Sequence, residues 1–434
     1  MRILFAHQNF PGQYRHLLRK LVDEGGHQIV FLTQRKNEDF PGIRKIVYKT
    51  HREPHANTHV YLRRIEDAVL HGQAVARACL ALKKSGFVPD VMLGHNGWGE
   101  TLYLKDVFPD TPLNAYFEFF YSSKGADSDF DPEFPAAPDM PMRIRTWNAV
   151  NLMGLEAADY GQTPTYWQQG RYPERYRDLI HVCHEGIDTE HVRPNPDASV
   201  TLPGGTVLTK TDEVLTYVAR NLEPYRGFHV FMRALPALQK RRPDAHVLIV
   251  GADGVSYGSR LPAGDSYKKR LLKEVGNQLD LSRVHFLGHL PYDQYLKVLQ
   301  ISTAHVYLTY PFVLSWSLME AMSAGCIVIG SDTGPVTEVI TDQVNGVLTD
   351  FFDKSSLVNK VEEVLGNRKK YLAVREAARQ TIIDRYDLKA ICLPFHRNML
   401  NKILSERSNP VVAPNDASNA APRVSVRQER PLTA

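Results

Sequence analysis

Apolar residues along this chain fall into short, near-continuous runs, separated by stretches in which they recur every three or four positions. That alternation predicts buried parallel strands joined by helices. Arg2-Ile-Leu-Phe-Ala6 is the first run. The loop HQNFPGQYRHL follows, Pro11-Gly12 opens a helix through about Glu24, Gly25-Gly26 ends it, and HQIVFLT is the second strand. A helix is predicted from about Ile65 to Ser85, then a strand from Pro89 to His95 and an aromatic strand over Leu113–Tyr121 with Glu118 embedded in it. A helix through Leu155, a strand-like AADYGQTPT and a helix-prone YWQQG carry the first half to HVCHEGIDTEHVRP.

From Pro194 to Asp212 the pattern turns polar and irregular, which reads as a linker. A second set of strand–helix units then begins with EVLTYVARNL, GFHVFMRALPALQKR, HVLIVGADG, SYKKRLLKEVGNQL, RVHFLGHL and YDQYLKVLQ. It ends in the stretch Tyr310–Ile340, where helical spacing of Leu318, Met319 and Met322 stops at Gly325, CIVIGS is a strand, and Thr333-Gly334-Pro335 leads into a further helix. The expected class is α/β, with two doubly wound Rossmann-like units facing a cleft. The expected division is 1–193, a linker at 194–212, a second unit at 213–385, a helix at 386–407 returning to the first unit, and a disordered tail at 408–434 rich in Pro, Ala, Asn and Ser.

Composition changes this picture little. At 434 residues, 43% hydrophobic and 23% charged, the chain suits two ordinary globular domains. No apolar run approaches a membrane span and the N-terminus does not read as a signal peptide, so a cytoplasmic setting is expected. Cys79, Cys183, Cys326 and Cys392 lack the spacing of a zinc site or a disulfide framework. The net charge of +4 points to no nucleic acid, although basic residues gather early, from Arg15 to Arg64, on a face suited either to plain solvation or to acidic phospholipid.

In open parallel sheets, ligands bind beyond the carboxyl ends of the strands, and the candidate chemistry falls there. Arg220 ends a strand and Arg226 follows six positions on, flanking a tight loop at a helix start. Two guanidinium groups with free helix N–H groups make a receptor for a diphosphate. Glu320 and Glu338 lie near helix starts at the same rim, where either one also serves as a helix complement and Ser317 with Glu320 fits a capping box. His95 ends a strand, a place where histidines are also common core and turn residues. Gly12 lets backbone approach a ligand, or simply makes a turn. The G-x-G-x-x-G fingerprint is missing. The DSD and DFD of the loop after Tyr121 lie in a long connection in a two-domain pattern, which argues against a metal-binding Asp-x-Asp and for an acceptor-facing lid.

With these residues in view, the chain resembles the retaining glycosyltransferases of family 4, which have the GT-B fold. The matching pieces are YVARNLEPYRGF, HVLIVGADG, VHFLGHLPYDQY and EAMSAGCIVIGSDTGPVTEVITDQVNGVL, with HQNFPGQYRHL, DVMLGH and HEGIDTEHVRP in the first half. The resemblance implies an acceptor-binding first domain and a second domain that binds a nucleotide sugar. Arg220 and Arg226 would neutralise the donor diphosphate, Glu320 would hold the ribose, and Glu338 with Thr333 and Gly334 would lie by the nucleotide or sugar. His95 and Gly12 would face the donor. The first glutamate of the family's E-x7-E pattern is replaced by Phe312, and Ser315 or Trp316 stands in as a candidate sugar contact. The resemblance also implies a metal-independent hexosyltransferase with no cofactor. It would act on a glycan or lipid-linked acceptor in bacterial surface polysaccharide or glycolipid assembly, with possible contact at the inner face of the membrane. A sugar-nucleotide 2-epimerase and a catalytically degenerate nucleotide-sugar-binding protein remain the alternatives.

Overall fold

Residues 1–37 and 39–408 are described in a computed structural model of the chain. The first domain is a seven-stranded parallel sheet built from β1 (Arg2–Ala6), β2 (Gln28–Thr33), β3 (Ile43–Val47), β4 (Val91–His95), β5 (Leu113–Tyr116), β6 (Tyr160–Thr163) and β7 (Ile180–Val182) in the order β3-β2-β1-β4-β5-β6-β7. The central strand is apolar on both faces because both are covered. Ile3, Leu4, Phe5 and Ala6 are buried, and Leu4 lies in register with Val30 on one side and Met92 on the other.

The second domain repeats the plan in β10 (Val214–Asn221), β11 (His246–Ala252), β12 (Val284–Gly288), β13 (Ala304–Tyr307), β14 (Ile327–Ser331) and β15 (Val347–Thr349), ordered β12-β11-β10-β13-β14-β15. The linker is not wholly irregular. It folds into an antiparallel hairpin of β8 (Ser199–Thr201) and β9 (Val207–Thr209), which hides Ala198, Leu202 and Leu208 against Leu248, Val298 and Ile301.

Each sheet reverses its strand order once, between β1 and β4 and between β10 and β13, and the loops leaving those strands open a crevice. The chain returns to the first domain at its end. The helix Leu372–Tyr386 packs on the second domain through Ala378 and Ile382, and the helix Leu393–Ser408 then lays Met399, Leu400 and Ile403 on Ile3, Phe5 and Leu18. The tail expected over 408–434 lies, from residue 409 on, outside the described residues. Among the described residues, no helix is long and apolar enough to cross a membrane.

The structure corrects two expectations. The aromatic strand stops at Tyr116, so Glu118 sits just beyond its carboxyl end instead of inside it. The long connection after Tyr121 does not stand free as a lid, because it lies on the second domain. Phe130 packs against Tyr310, Phe351 and Phe352 at centroid distances of 5.1, 5.0 and 5.0 Å, and Asp127 accepts a hydrogen bond of 2.9 Å from the Tyr225 hydroxyl.

Candidate active site

The first domain supplies a floor of aromatic and imidazole rings. Gly12, in the loop after β1, has φ +56°, and a Cβ there would stand 2.6 Å from His7 Nε2, so the turn admits glycine alone. His7 Nδ1 accepts the Asn9 N–H at 2.8 Å, which leaves the proton on Nε2 to donate to Gln13 Oε1 at 2.6 Å. Burial, helped by the neighbouring His95, holds His7 far below the ordinary imidazole range and so neutral. Gln13 then turns its Nε2 toward Glu118 Oε1, 3.3 Å away. His95 is built the same way. It is fully buried at the end of β4, stacks on Trp98 at 4.2 Å, and accepts the Gly97 N–H on Nδ1 at 3.0 Å. Its Nε2 therefore carries the proton, makes no hydrogen bond among the described residues, and lies 3.5 Å from Glu118 Oε2. Burial opposes the charge on Glu118, yet His95, Arg220 and Arg226 together hold its carboxyl below the usual range.

Beneath this floor lies a buried carboxyl. Glu100 is fully buried, accepts a hydrogen bond from the Tyr48 hydroxyl at 2.6 Å, and leaves Oε2 without a partner among the described residues. Burial raises its pKa. A folded-state pKa above the unfolded value contributes stability that is full below the unfolded pKa and is lost as pH rises through the folded one. Glu100→Gln is thus expected to be more stable than the parent at pH 8 by about 1 kcal/mol. The gap should close below about pH 4, where both states of the parent are protonated. Denaturant unfolding of both proteins at the two pH values measures it.

The second domain supplies the positive rim. Arg220, near the end of β10, is exposed and makes no hydrogen bond among the described residues. Arg226 closes the single turn Pro224–Arg226 and is buried. Its Nη1 donates to Thr309 Oγ1 at 2.7 Å and to the Val313 carbonyl at 3.1 Å, and its guanidinium lies 5.2 Å from the Tyr257 ring centre. The helix Phe228–Arg241 starts immediately after, with no acidic residue in its first turn to offset its positive end. Ser315 caps the helix Trp316–Ser323, accepting the Ser317 N–H at 3.3 Å, so the cap is Ser315 and not the expected Ser317.

Residues 25–192 match the model of the glycosyl transferase family 4 group, and residues 204–381 match that of glycosyl transferases group 1. The chain belongs to the family 4 glycosyltransferases and has the GT-B fold. Among curated relatives, the lipopolysaccharide 1,2-N-acetylglucosaminetransferase of Salmonella typhimurium is 22% identical over 55% of this chain and 61% of its own length. The D-inositol 3-phosphate glycosyltransferase of Corynebacterium glutamicum is 27% identical over 41% of this chain and 43% of its own. The chain thus spans about half the length of the curated relatives it matches. Among solved structures, sucrose-phosphate synthase from Thermosynechococcus elongatus superposes with a TM-score of 0.69 at 17% identity, over 93% of this chain and 100% of the other. HepE of Anabaena, in complex with UDP, gives 0.66 at 16% identity over 92% and 100%. At these identities the likeness to solved structures is one of fold.

In this GT-B chain the residues expected to meet a donor divide into two groups. His95, Arg220 and Arg226 all act on Glu118, and Gly12 packs against His7, whose ring centre is 4.8 Å from that of His95. The others are engaged elsewhere. Glu320 accepts from the Tyr292 hydroxyl at 2.8 Å and the Tyr295 hydroxyl at 2.7 Å, so both its oxygens already hold phenols. Burial raises its carboxyl. Trp316 donates its Nε1–H to Glu185 of the first domain at 2.8 Å.

Glu338, expected beside the nucleotide or sugar, instead caps a first-domain helix. It accepts the N–H groups of Tyr166 and Trp167 at 2.9 and 2.6 Å, because that helix start presents unpaired donors across the cleft. Thr333 is buried and donates to the Thr309 carbonyl at 3.3 Å, and a side chain at Gly334 would collide with the Trp167 indole, so this turn is packed against protein. Phe312 is likewise buried, 4.6 Å from the Phe119 ring centre and 5.0 Å from that of Tyr257. Glu118, Gln13 and His7 join the site without having stood out in the sequence. The available signal was a carboxylate at the rim end of an otherwise aromatic run.

Proposed function

We propose that this chain is a retaining, metal-independent hexosyltransferase that moves a sugar from a nucleoside diphosphate sugar to a hydroxyl acceptor. The observation that carries the reading is the pairing, across one cleft, of Arg220, Arg226 and the start of the helix Phe228–Arg241 with the His95–Glu118 floor. The bond between the anomeric carbon and the phosphate oxygen breaks, and its electron pair leaves with the nucleoside diphosphate. The acceptor oxygen bonds to the same carbon and gives its proton to the departing phosphate. Negative charge thereby builds on the diphosphate, where the Arg226 guanidinium, held by Thr309 and the Val313 carbonyl, stabilises it together with the exposed Arg220 guanidinium and helix N–H groups. A setting in surface polysaccharide or glycolipid assembly is supported by relatives named for lipopolysaccharide and phosphatidylinositol glycosylation. An acceptor on a lipid carrier would bring the basic residues of the first domain to acidic phospholipid, and vesicle flotation at low salt tests that part of the reading.

Calorimetric titration with UDP and GDP, and then with their sugar nucleotides, tests the donor site. One nucleotide should bind with a Kd on the order of micromolar, and its sugar nucleotide should be consumed when an extract of lipid-linked glycans is added. Phe312 favours the degenerate binding protein as a second reading, which predicts binding with no release of nucleotide under any condition. Conversion of a sugar nucleotide to its 2-epimer with no acceptor present would replace the transferase with an isomerase.

A further inference from the structure

The acidic side chains around the cleft differ in how much hydrogen-bonding capacity the protein leaves them. Glu223 accepts three backbone N–H groups at 2.9 to 3.1 Å. Glu320 holds two phenols, Glu338 holds two backbone N–H groups, and Glu185 holds the Tyr116 hydroxyl and the Trp316 indole. Asp131 holds the Tyr310 hydroxyl at 2.6 Å and His229 Nε2 at 3.0 Å. Glu118 has only two loose neighbours among the described residues, Gln13 Nε2 at 3.3 Å and His95 Nε2 at 3.5 Å, although its side chain is 34% exposed at the floor of the cleft. His95 beside it is fully buried and leaves a proton-bearing nitrogen without a hydrogen bond. A partly exposed carboxylate without close donors marks a place where a ligand hydroxyl completes the pattern.

The neighbouring residue fixes what that ligand group is. Phe119 follows Glu118 in sequence and packs on Phe312, the aromatic residue standing where the resemblance leads one to expect a sugar-binding glutamate. The second domain therefore offers an apolar wall at that point, and of the two first-domain carboxylates left with spare acceptor capacity there, Asp127 is buried and bonded to Tyr225 while Glu118 is the more exposed.

Resting on the transferase reading above, we propose that Glu118 is the carboxylate that reads the hydroxyls of the donor sugar, supplying from the first domain what Phe312 removes from the second. A sugar hydroxyl donates to Glu118, whose carboxylate is faced from its buried side by His95 Nε2 at 3.5 Å. The chain His7–Gln13–Glu118 holds the carboxylate in place, and Arg220 and Arg226 keep it ionised while holding the diphosphate beyond it.

The test is calorimetry of wild type, Glu118→Gln and Glu118→Asp with UDP, UDP-glucose and UDP-N-acetylglucosamine, and with GDP and GDP-mannose. The ratio of the sugar-nucleotide Kd to the Kd of its bare nucleotide is the quantity read. In Glu118→Gln the bare nucleotide should bind no more weakly than to wild type, while the ratio rises roughly tenfold or more, as expected for losing a hydrogen bond to a charged group. Glu118→Asp should fall between. Deoxy analogues of the sugar that binds should lose affinity for wild type and lose no more for Glu118→Gln. An unchanged ratio in both variants overturns the proposal and leaves the nucleotide site standing. Equal weakening of nucleotide and sugar nucleotide also overturns it, because that is the signature of a merely structural carboxylate. Failure of wild type to bind any of the five ligands overturns the transferase reading, and this proposal with it.

Discussion

Arg220→Ala is expected to slow sugar transfer on the order of 10²–10³ fold while leaving the unfolding midpoint where it was. Both halves of that expectation come from the position of one side chain. The backbone of residue 220 belongs to β10, at the switch point of the second sheet, so removing the guanidinium leaves the strand pairing untouched. The side chain is exposed and bonds to none of the described residues, so no buried partner is orphaned. Its charge nevertheless acts on Glu118 of the other domain, which places it at the cleft where the proposed diphosphate would bind. Arg226 is the instructive contrast. Truncating it also leaves Thr309 and the Val313 carbonyl short of a donor inside the domain, so Arg226→Ala confounds lost catalysis with lost structure. Single-turnover release of nucleotide, beside a thermal melt, separates the two variants. A full rate in Arg220→Ala would remove this residue from the site and leave Arg226 as the sole side-chain cation of the proposed diphosphate receptor.

Local pattern carries some features of the fold and not others. The central strands, their helices and the rim positions of His95, Arg220 and Arg226 follow from apolar runs and from glycine and proline stops, which act within a few residues. Glu118 is hidden because LNAYFEFFY remains strand-like in composition through Tyr121. The strand stops at Tyr116, and the chain turns along the cleft under contacts that come from elsewhere, such as the Asn151 amide on the Phe119 carbonyl at 3.0 Å. The partners of Glu338 are hidden for a similar reason. A helix start attracts acids whichever helix it belongs to, and the donors it satisfies are 171 and 172 positions away in the chain. The hairpin in the linker has no run long enough to announce a strand, and it forms because the second domain presents Leu248 and Ile301 for it to cover.

The loop 122–139 gives the other large expected effect. Asp131→Ala should cost about 2–4 kcal/mol, and the loss should appear as loosening between the domains. Asp131 is buried, belongs by sequence to the first domain, and among the described side chains bonds only to Tyr310 and His229 of the second. Truncation leaves a phenol and an imidazole without their acceptor in a site lined by Phe130, Phe134 and Phe351. The Glu133–Arg233 pair next to it is far more exposed and screened by solvent, so Glu133→Ala should cost well under about 1 kcal/mol. Burial works against ionisation of Asp131, but its bonds to His229 and Tyr310 outweigh it and hold the carboxyl below its ordinary range. A depressed folded-state pKa contributes stability present above the unfolded value and lost as pH falls through the folded one. The difference between wild type and Asp131→Asn should accordingly be full at pH 7 and shrink below about pH 4. Small-angle scattering at pH 7 should show a larger radius of gyration for Asp131→Ala than for Glu133→Ala. Equal radii, with equal denaturant midpoints, would mean that the aromatic packing of Phe130 alone fastens the loop and that Asp131 adds nothing to domain closure.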